Sequence, residues 1–205
     1  RFPFLHDFGL TENYAIFVVS SINFKLGGPL LGTATLSGNL SYNDQQAMRG
    51  IVVDLRTMTV AQEFELPPGI VVHFANSFEA GNELITDFFH TQSTEGFAWL
   101  GDVFDVQTVA GAKLQRLRIN LKTAQTRLEA FAHAPDGEFP AWNTNHTGLN
   151  SEHCFYVGHA PGREQGFFNS LVTLNTRTGA CTHTDVGDNR YTSEALFTAK
   201  ARPKA

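Results

Sequence analysis

His6-Asp7-Phe8-Gly9-Leu10-Thr11-Glu12-Asn13-Tyr14 is the stretch on which the reading of this chain turns. It separates the apolar residues Phe2 to Leu5 from a second apolar run over 14–20. A turn between strands needs residues that bend or satisfy the backbone, and Asn, Gly or Ser would serve. His6 and Asp7 exceed that need. A second histidine, His73, stands at the edge of the apolar run Gly69-Ile70-Val71-Val72-His73-Phe74. Neutral imidazole suits iron, copper and zinc, so both histidines are candidate metal ligands. They lie 67 residues apart (73 minus 6), so they would meet only if different strands converge. Position alone leaves the plainer reading open, in which each is a core or turn residue.

The rest of the chain has the same texture. Short runs of strand formers cover 14–20, 50–55, 69–74, 84–89, 113–121 and 170–175. Pro67-Pro68, Gly81-Asn82, Arg56-Thr57-Met58-Thr59 and Thr176-Arg177-Thr178-Gly179 punctuate them as turns. Over 113–121 apolar and polar residues alternate, the period of a half-buried strand. A short helical turn is expected within 102–111. Many short strands at this spacing indicate an all-β sandwich, barrel or propeller. No repeat at a fixed period stands out. No linker interrupts the chain, so residues 1–205 read as one domain, cut at both ends from something longer.

Composition narrows the function. The net charge is -5 with no basic cluster, which speaks against nucleic acid. No apolar run reaches the roughly 18 residues of a membrane span. No charged leader with an apolar core opens the chain. Cys154 and Cys181 lack metal-ligand spacing and read as free thiols of a reducing, cytoplasmic compartment, a disulfide being unforced. Asn39-Leu40-Ser41 and Asn145-His146-Thr147 match the glycosylation pattern, which carries little weight without a secretion signal. Neither a Gly-x-Ser-x-Gly elbow nor a phosphate-cradling loop is present. Glu138 lies between a turn and Phe139-Pro140, and Glu194 lies within Tyr191-Thr192-Ser193-Glu194-Ala195-Leu196-Phe197. The plain reading of each is a surface carboxylate. The sharper reading is an acceptor for the second N–H of a metal-binding imidazole.

Four stretches, taken in order, resemble the motifs of the carotenoid cleavage oxygenases, the family that also holds the lignostilbene dioxygenases and the retinal pigment epithelium isomerase. His6-Asp7-Phe8 with Thr11, Asn13 and Tyr14 is similar to one ligand motif. Val72-His73-Phe74-Ala75-Asn76-Ser77-Phe78-Glu79, followed by Gly81 and Ile85-Thr86-Asp87, is similar to the next. Glu138-Phe139-Pro140 with Asn143, and Ser193-Glu194 with Phe197, are similar to two carboxylate motifs. The resemblance implies an all-β seven-bladed β-propeller, with about four blades in this chain. It implies a ferrous ion, Fe(2+), on the propeller axis, held by four histidines of which three are braced by glutamates. His6 and His73 would be two iron ligands, and Glu138 and Glu194 two of the braces. Asp7 would serve the local backbone.

The implied reaction is cleavage of a carbon–carbon double bond of a carotenoid or apocarotenoid by O2, giving two carbonyl products. Peripheral membrane contact is expected, because carotenoids reside in lipid. Two ligand motifs and one brace fall outside these 205 residues, so the piece alone is expected to be inactive and prone to aggregate. His90, His133, His146, His153, His159 and His183 lie outside the motifs and read as surface or loop residues. Phe74 replaces a histidine frequent in the family, and Ala195 replaces its usual proline. Three rivals stand beside this reading: a stilbene dioxygenase of lignostilbene type, a non-catalytic propeller binding an apolar ligand, and a copper or zinc protein.

Overall fold

Turn chemistry repeats along the chain and sets its architecture. The computed structural model describes residues 5–25, 27–33, 39–95 and 107–198. Within them, β1 (Gly9–Leu10), β2 (Tyr14–Val19), β3 (Ile22–Phe24), β4 (Leu40–Tyr42), β5 (Met48–Asp54) and β6 (Thr59–Leu66) come first. A one-turn helix, α1 (Gly27–Leu30), lies between β3 and β4. Then follow β7 (Ile70–Ala80), β8 (Glu83–Thr91), β9 (Lys113–Asn120) and β10 (Thr126–Ala130). The last four are β11 (Gly137–Ala141), β12 (His153–Gly158), β13 (Ser170–Asn175) and β14 (Cys181–Asp185). They form three four-stranded antiparallel sheets, ordered β1-β2-β5-β6, β7-β8-β9-β10 and β11-β12-β13-β14. The β3-β4 ribbon is an excursion from the first. Each sheet is a meander of neighbouring strands, and its leading strand touches that of the next sheet: β1 packs on β7, and β7 on β11.

The hairpin closing each sheet uses one turn three times. Asp54-Leu55-Arg56-Thr57-Met58, Asn120-Leu121-Lys122-Thr123-Ala124 and Asn175-Thr176-Arg177-Thr178-Gly179 occupy equivalent places. In each, the first side chain's Oδ1 accepts the backbone N–H groups two and three residues on. The fifth residue then takes a positive φ, at 55° for Met58, 59° for Ala124 and 75° for Gly179. Its N–H donates to the carbonyl of the first. Asp and Asn are turn starters because their short side chains supply that local acceptor. This repeat is of local chemistry at unequal spacing, which a search for a fixed period passes over.

The core lies between the sheets. Alternate residues of a strand point to opposite faces, and the middle sheet uses both. Phe74, Leu84, Phe88, Leu117 and Ile119 join Ile16, Val18, Met48, Val52 and Phe64 of the first sheet. Ala75, Phe89 and Leu114 join Cys154, Tyr156, Val172 and Leu174 of the third. Phe88 and Phe89 are both fully buried, each contributing about 1.5–3 kcal/mol relative to exposure. This two-sided burial explains why β8 reads as a continuous apolar run. The buried Asp87 carboxylate meets Arg116 through two 2.8 Å hydrogen bonds, and the guanidinium lies against the Phe78 and Phe131 rings.

The expected strands are present, with β7 and β8 longer than their apolar cores suggested. Of the helical turn expected over 102–111, residues 102–106 lie outside the described residues. The rest is extended, with Thr108 bridged to Gly166. Both cysteines are free, and burial pushes the Cys154 thiol well above its usual range. His133, His146 and His153 are exposed, but His90 is not a surface residue. It is 7% exposed on β8, with Nδ1 at 3.1 Å from Gln115 Nε2, and its ring fills the space left by the missing side chain of Gly69. A strand buried on both faces leaves even its polar residues inside. His159 and His183 are half-buried.

Candidate functional site

The leading strands of all three sheets deliver side chains to one place. His6 and Asp7 immediately precede β1. His73 lies on β7, where the pairing with β8 slips by one residue between Val71 and Phe74. Glu138 lies on β11, where the pairing with β12 slips between Glu138 and Ala141. An extra residue in one strand bends it and re-aims the adjoining side chains. The second irregularity carries local backbone strain. Phe139 has a φ of 57° and is followed by Pro140, which disfavours a helical conformation in the residue before it. Such a backbone costs about 1–3 kcal/mol and is maintained by its surroundings.

His6, Asp7, His73, Phe139, Pro140, Glu194 and Ala195 border a cavity of about 290 Å³. The His6 and His73 rings meet edge to face, with centroids 5.0 Å apart and planes at 90°. Glu138 Oε2 stands 2.9 Å from His73 Nδ1 and also accepts the Phe139 N–H at 3.0 Å. An ionised carboxylate only accepts, so Nδ1 carries the ring proton and Nε2 of the neutral ring keeps a free lone pair. Burial pushes the His73 pKa down, but the Glu138 hydrogen bond and charge, with the charges of Asp7 and Glu194, together raise it above its usual value. Phe139 covers the ring at 5.1 Å between centroids.

Three of the four residues singled out in the sequence, His6, His73 and Glu194, border this cavity, and Glu138 reaches it only through His73. Glu138 contacts His73 directly. Glu194 borders the cavity from the extended segment after β14 and is exposed. Among the described residues, no hydrogen bond joins Glu194 to either ring.

Two imidazoles this close could share a transition-metal ion. The donor set suits a transition metal, with two neutral rings and a carboxylate fixing one tautomer. Among the described residues no group of three or more histidine, cysteine or carboxylate side chains is placed to hold a metal ion.

Sequence reasoning passed over how the pair is held. Asp7 caps its own neighbour, Phe8 N–H, through Oδ1 and also reaches across to accept Phe74 N–H through Oδ2, both at 2.8 Å. Glu79 accepts hydrogen bonds from Thr11 Oγ1, Asn13 N–H and Asn13 Nδ2. The available signal was a half-buried glutamate ending β7, opposite a turn whose backbone needs an acceptor.

Comparison with known proteins agrees with this construction. The family model described as Retinal pigment epithelial membrane protein matches residues 1–205. The chloroplastic 9-cis-epoxycarotenoid dioxygenase NCED1 of Oryza sativa subsp. japonica is 26% identical, over 96% of this chain and 30% of that protein. The carotenoid 9,10(9',10')-cleavage dioxygenase 1 of Arabidopsis thaliana is 24% identical, over 94% of this chain and 37% of that one. The chain therefore spans about a third of the length of these relatives. A variant of Synechocystis apocarotenoid oxygenase superposes with a TM-score of 0.81 at 18% identity, over 96% of this chain and 41% of that chain. The cobalt-substituted Synechocystis enzyme gives 0.76 at 19% identity, over 90% of this chain and 38% of that one. The three sheets are accordingly part of a seven-bladed β-propeller, and the chain belongs to the retinal pigment epithelial membrane protein family, the carotenoid cleavage oxygenases.

Proposed function

We propose that the protein containing this chain is a non-haem Fe(II) dioxygenase that splits a C=C bond of a carotenoid or apocarotenoid with O2 into two carbonyl products. One observation supports this above the others: His6 and His73 meet at 5.0 Å, with Glu138 behind His73. In this reading His6 and His73 are two iron ligands, Glu138 fixes the His73 ring, and Glu194 braces a ligand from outside the chain. A bound ferrous ion would supply a site at which dioxygen is activated.

The chain's own residues set the conditions for that chemistry. Glu138 holds the Nδ1 proton of His73 and leaves Nε2 as the donor. Phe139 and Pro140 give the cavity an apolar wall, which suits a polyene and excludes water from one side. Both oxygen atoms of O2 enter the products, one in each carbonyl, so no further reductant is required. The partners proposed are therefore the polyene and O2. Among the described residues no helix is long and apolar enough to cross a membrane. Leu30 and Leu31, 78% and 79% exposed at the end of α1, support peripheral contact with lipid as the route by which an insoluble substrate arrives.

The test is to express the full-length protein, load it anaerobically with Fe(II), add apocarotenals and air, and separate the products. Two shorter carbonyl products, with 18O from 18O2 in both, are expected. An iron-loaded, folded protein that leaves apocarotenals and carotenoids intact while cleaving hydroxystilbenes would move the substrate to the lignostilbene class. Cleavage of neither would overturn the oxygenase reading.

A further inference from the structure

The segment carrying His6 has little regular structure of its own, since β1 is two residues long and begins three residues after the histidine. Something else must place that ring against His73. Three contacts bind the segment to β7. At its near end Asp7 Oδ2 accepts Phe74 N–H at 2.8 Å, while Oδ1 accepts Phe8 N–H at 2.8 Å. In its middle, a side chain at Gly9 would strike Ser77 Oγ at 2.5 Å and Thr86 Oγ1 at 2.9 Å, so glycine alone permits the close approach. At its far end Glu79 Oε1 accepts Thr11 Oγ1 and Asn13 N–H, each at 2.8 Å. The near contact differs from the others in what it joins. The residue after His6 is tied to the backbone of the residue after His73.

Resting on the proposed role of these histidines as ligands, we propose that Asp7 is a positioning residue for the pair, setting the separation of the two imidazoles before any ion binds. The chemistry requires a carboxylate. Each oxygen accepts a different backbone N–H, and each bond to a charged acceptor is stronger than its neutral counterpart. An asparagine offers one oxygen and turns an NH2 group toward the other N–H, so one of the two ties is lost. If the local tie to Phe8 survives, His6 is released from β7. If the long-range tie survives, Phe8 N–H loses its acceptor and the turn that carries His6 loosens. Either way the relative placement of the rings loosens without removal of a ligand. Because the bond to Phe74 joins sheets, its loss also lowers stability somewhat, and the test must separate the two effects.

The full-length protein is compared as wild type, Asp7→Asn and Glu79→Gln, each metal-free and titrated with Co(II). Glu79→Gln loosens the same segment at the end remote from the rings, because a neutral oxygen accepts from Thr11 and Asn13 less strongly and the new NH2 group faces Asn13 Nδ2, a donor against a donor. Asp7→Asn is expected to lower Co(II) affinity tenfold or more and to alter the visible d–d spectrum. Glu79→Gln is expected to lower the melting temperature of the metal-free protein while leaving affinity within about threefold and the spectrum unchanged. If Asp7→Asn binds Co(II) within twofold of wild type with the same spectrum, the proposal is overturned. Equal losses of affinity in the two variants would also overturn it, because any loosening would then suffice. Should Asp7→Asn fail to fold, Asp7→Ser keeps a short acceptor for Phe8 N–H and drops the reach to Phe74, with the same result expected. If the wild type binds no Co(II) or Fe(II), the ligand reading fails. The His6–His73 ring separation in a metal-free Asp7→Asn crystal then decides the positioning role, and an unchanged separation overturns it.

Discussion

Replacing Glu138 by Gln in the full-length protein isolates the carboxylate's charge from its shape. Both contacts of Glu138 end on one atom: Oε2 receives Phe139 N–H at 3.0 Å and pairs with His73 Nδ1 at 2.9 Å. A glutamine amide oxygen at the same position keeps both hydrogen bonds, so the ring orientation and tautomer survive. What changes is the strength of the bond to the ring, from about 1.5–3 kcal/mol for a charged partner to about 0.5–1.5 for a neutral one. A difference of about 1.4 kcal/mol is tenfold in affinity. Tenfold is the lower end of the 10–100-fold range for such partners.

The loss is expected to depend on pH. Glu138 also raises the His73 pKa, and protons compete with metal for the ring. Removing the charge weakens the ligand but relaxes that competition. The affinity ratio of wild type to Glu138→Gln should therefore be largest at about pH 8 and shrink toward pH 6, where His is near its reference value of about 6.5. Isothermal titration with Co(II) at several pH values measures it. A ratio that is constant with pH, or that grows toward pH 6, refutes the reasoning. A loss of 1,000-fold at any pH would mean that Gln fails to keep the ring in place.

Three further outcomes are expected. His73→Ala in the full-length protein is expected to lower iron content below detection by elemental analysis, and full occupancy would remove His73 from the ligand set. The metal-free protein is expected to gain stability from the His73–Glu138 pair at acidic pH. A histidine whose folded pKa is raised contributes fully below its unfolded value of about 6.5 and loses that contribution as pH rises through the folded one. Melting curves across that window should show a decline in wild type that Glu138→Gln lacks. Gly137→Ala is expected to cost about 1–3 kcal/mol, since its new side chain would meet the Val157 carbonyl and the Tyr156 ring. Because the collision is with the backbone of β12, Co(II) affinity should fall too, and an unchanged melting temperature would refute the account.

Strand identity was legible in six runs where one face or both are buried, but not in β12, although Cys154, Tyr156 and Val157 are buried there. Residues 113–121 alternate, and 84–89 run apolar because β8 faces two cores. The edge strands β6, β10 and β14 were not legible. Burial selects few of their side chains, and in Thr126–Ala130 it selects none fully. His6, His73, Glu138 and Glu194 stood out in the sequence because their motifs resemble a known family. The mechanical parts of the site did not. Asp7 looks like a local turn residue until Phe74 N–H is seen opposite its second oxygen, and that contact spans 67 positions of sequence. The positive φ of Phe139 is likewise invisible, because bulges arise from the pairing of two strands and not from one.

The separation between local and distant contacts also fixes an order in time. Apart from β2 with β5 and β8 with β9, the strand pairs within each sheet are hairpins near in sequence, and the closing turns carry their own acceptors. Such units form on the microsecond scale. The bond between His73 and Glu138 spans 65 residues, and that between Asp7 and Phe74 spans 67. Contacts at that range wait until the sheets between them exist, because loop closure must come first. The histidine pair is therefore a late product of folding. In the proposed reading, metal added after the sheets dock finds the two rings already side by side, whereas the unfolded chain does not hold them together.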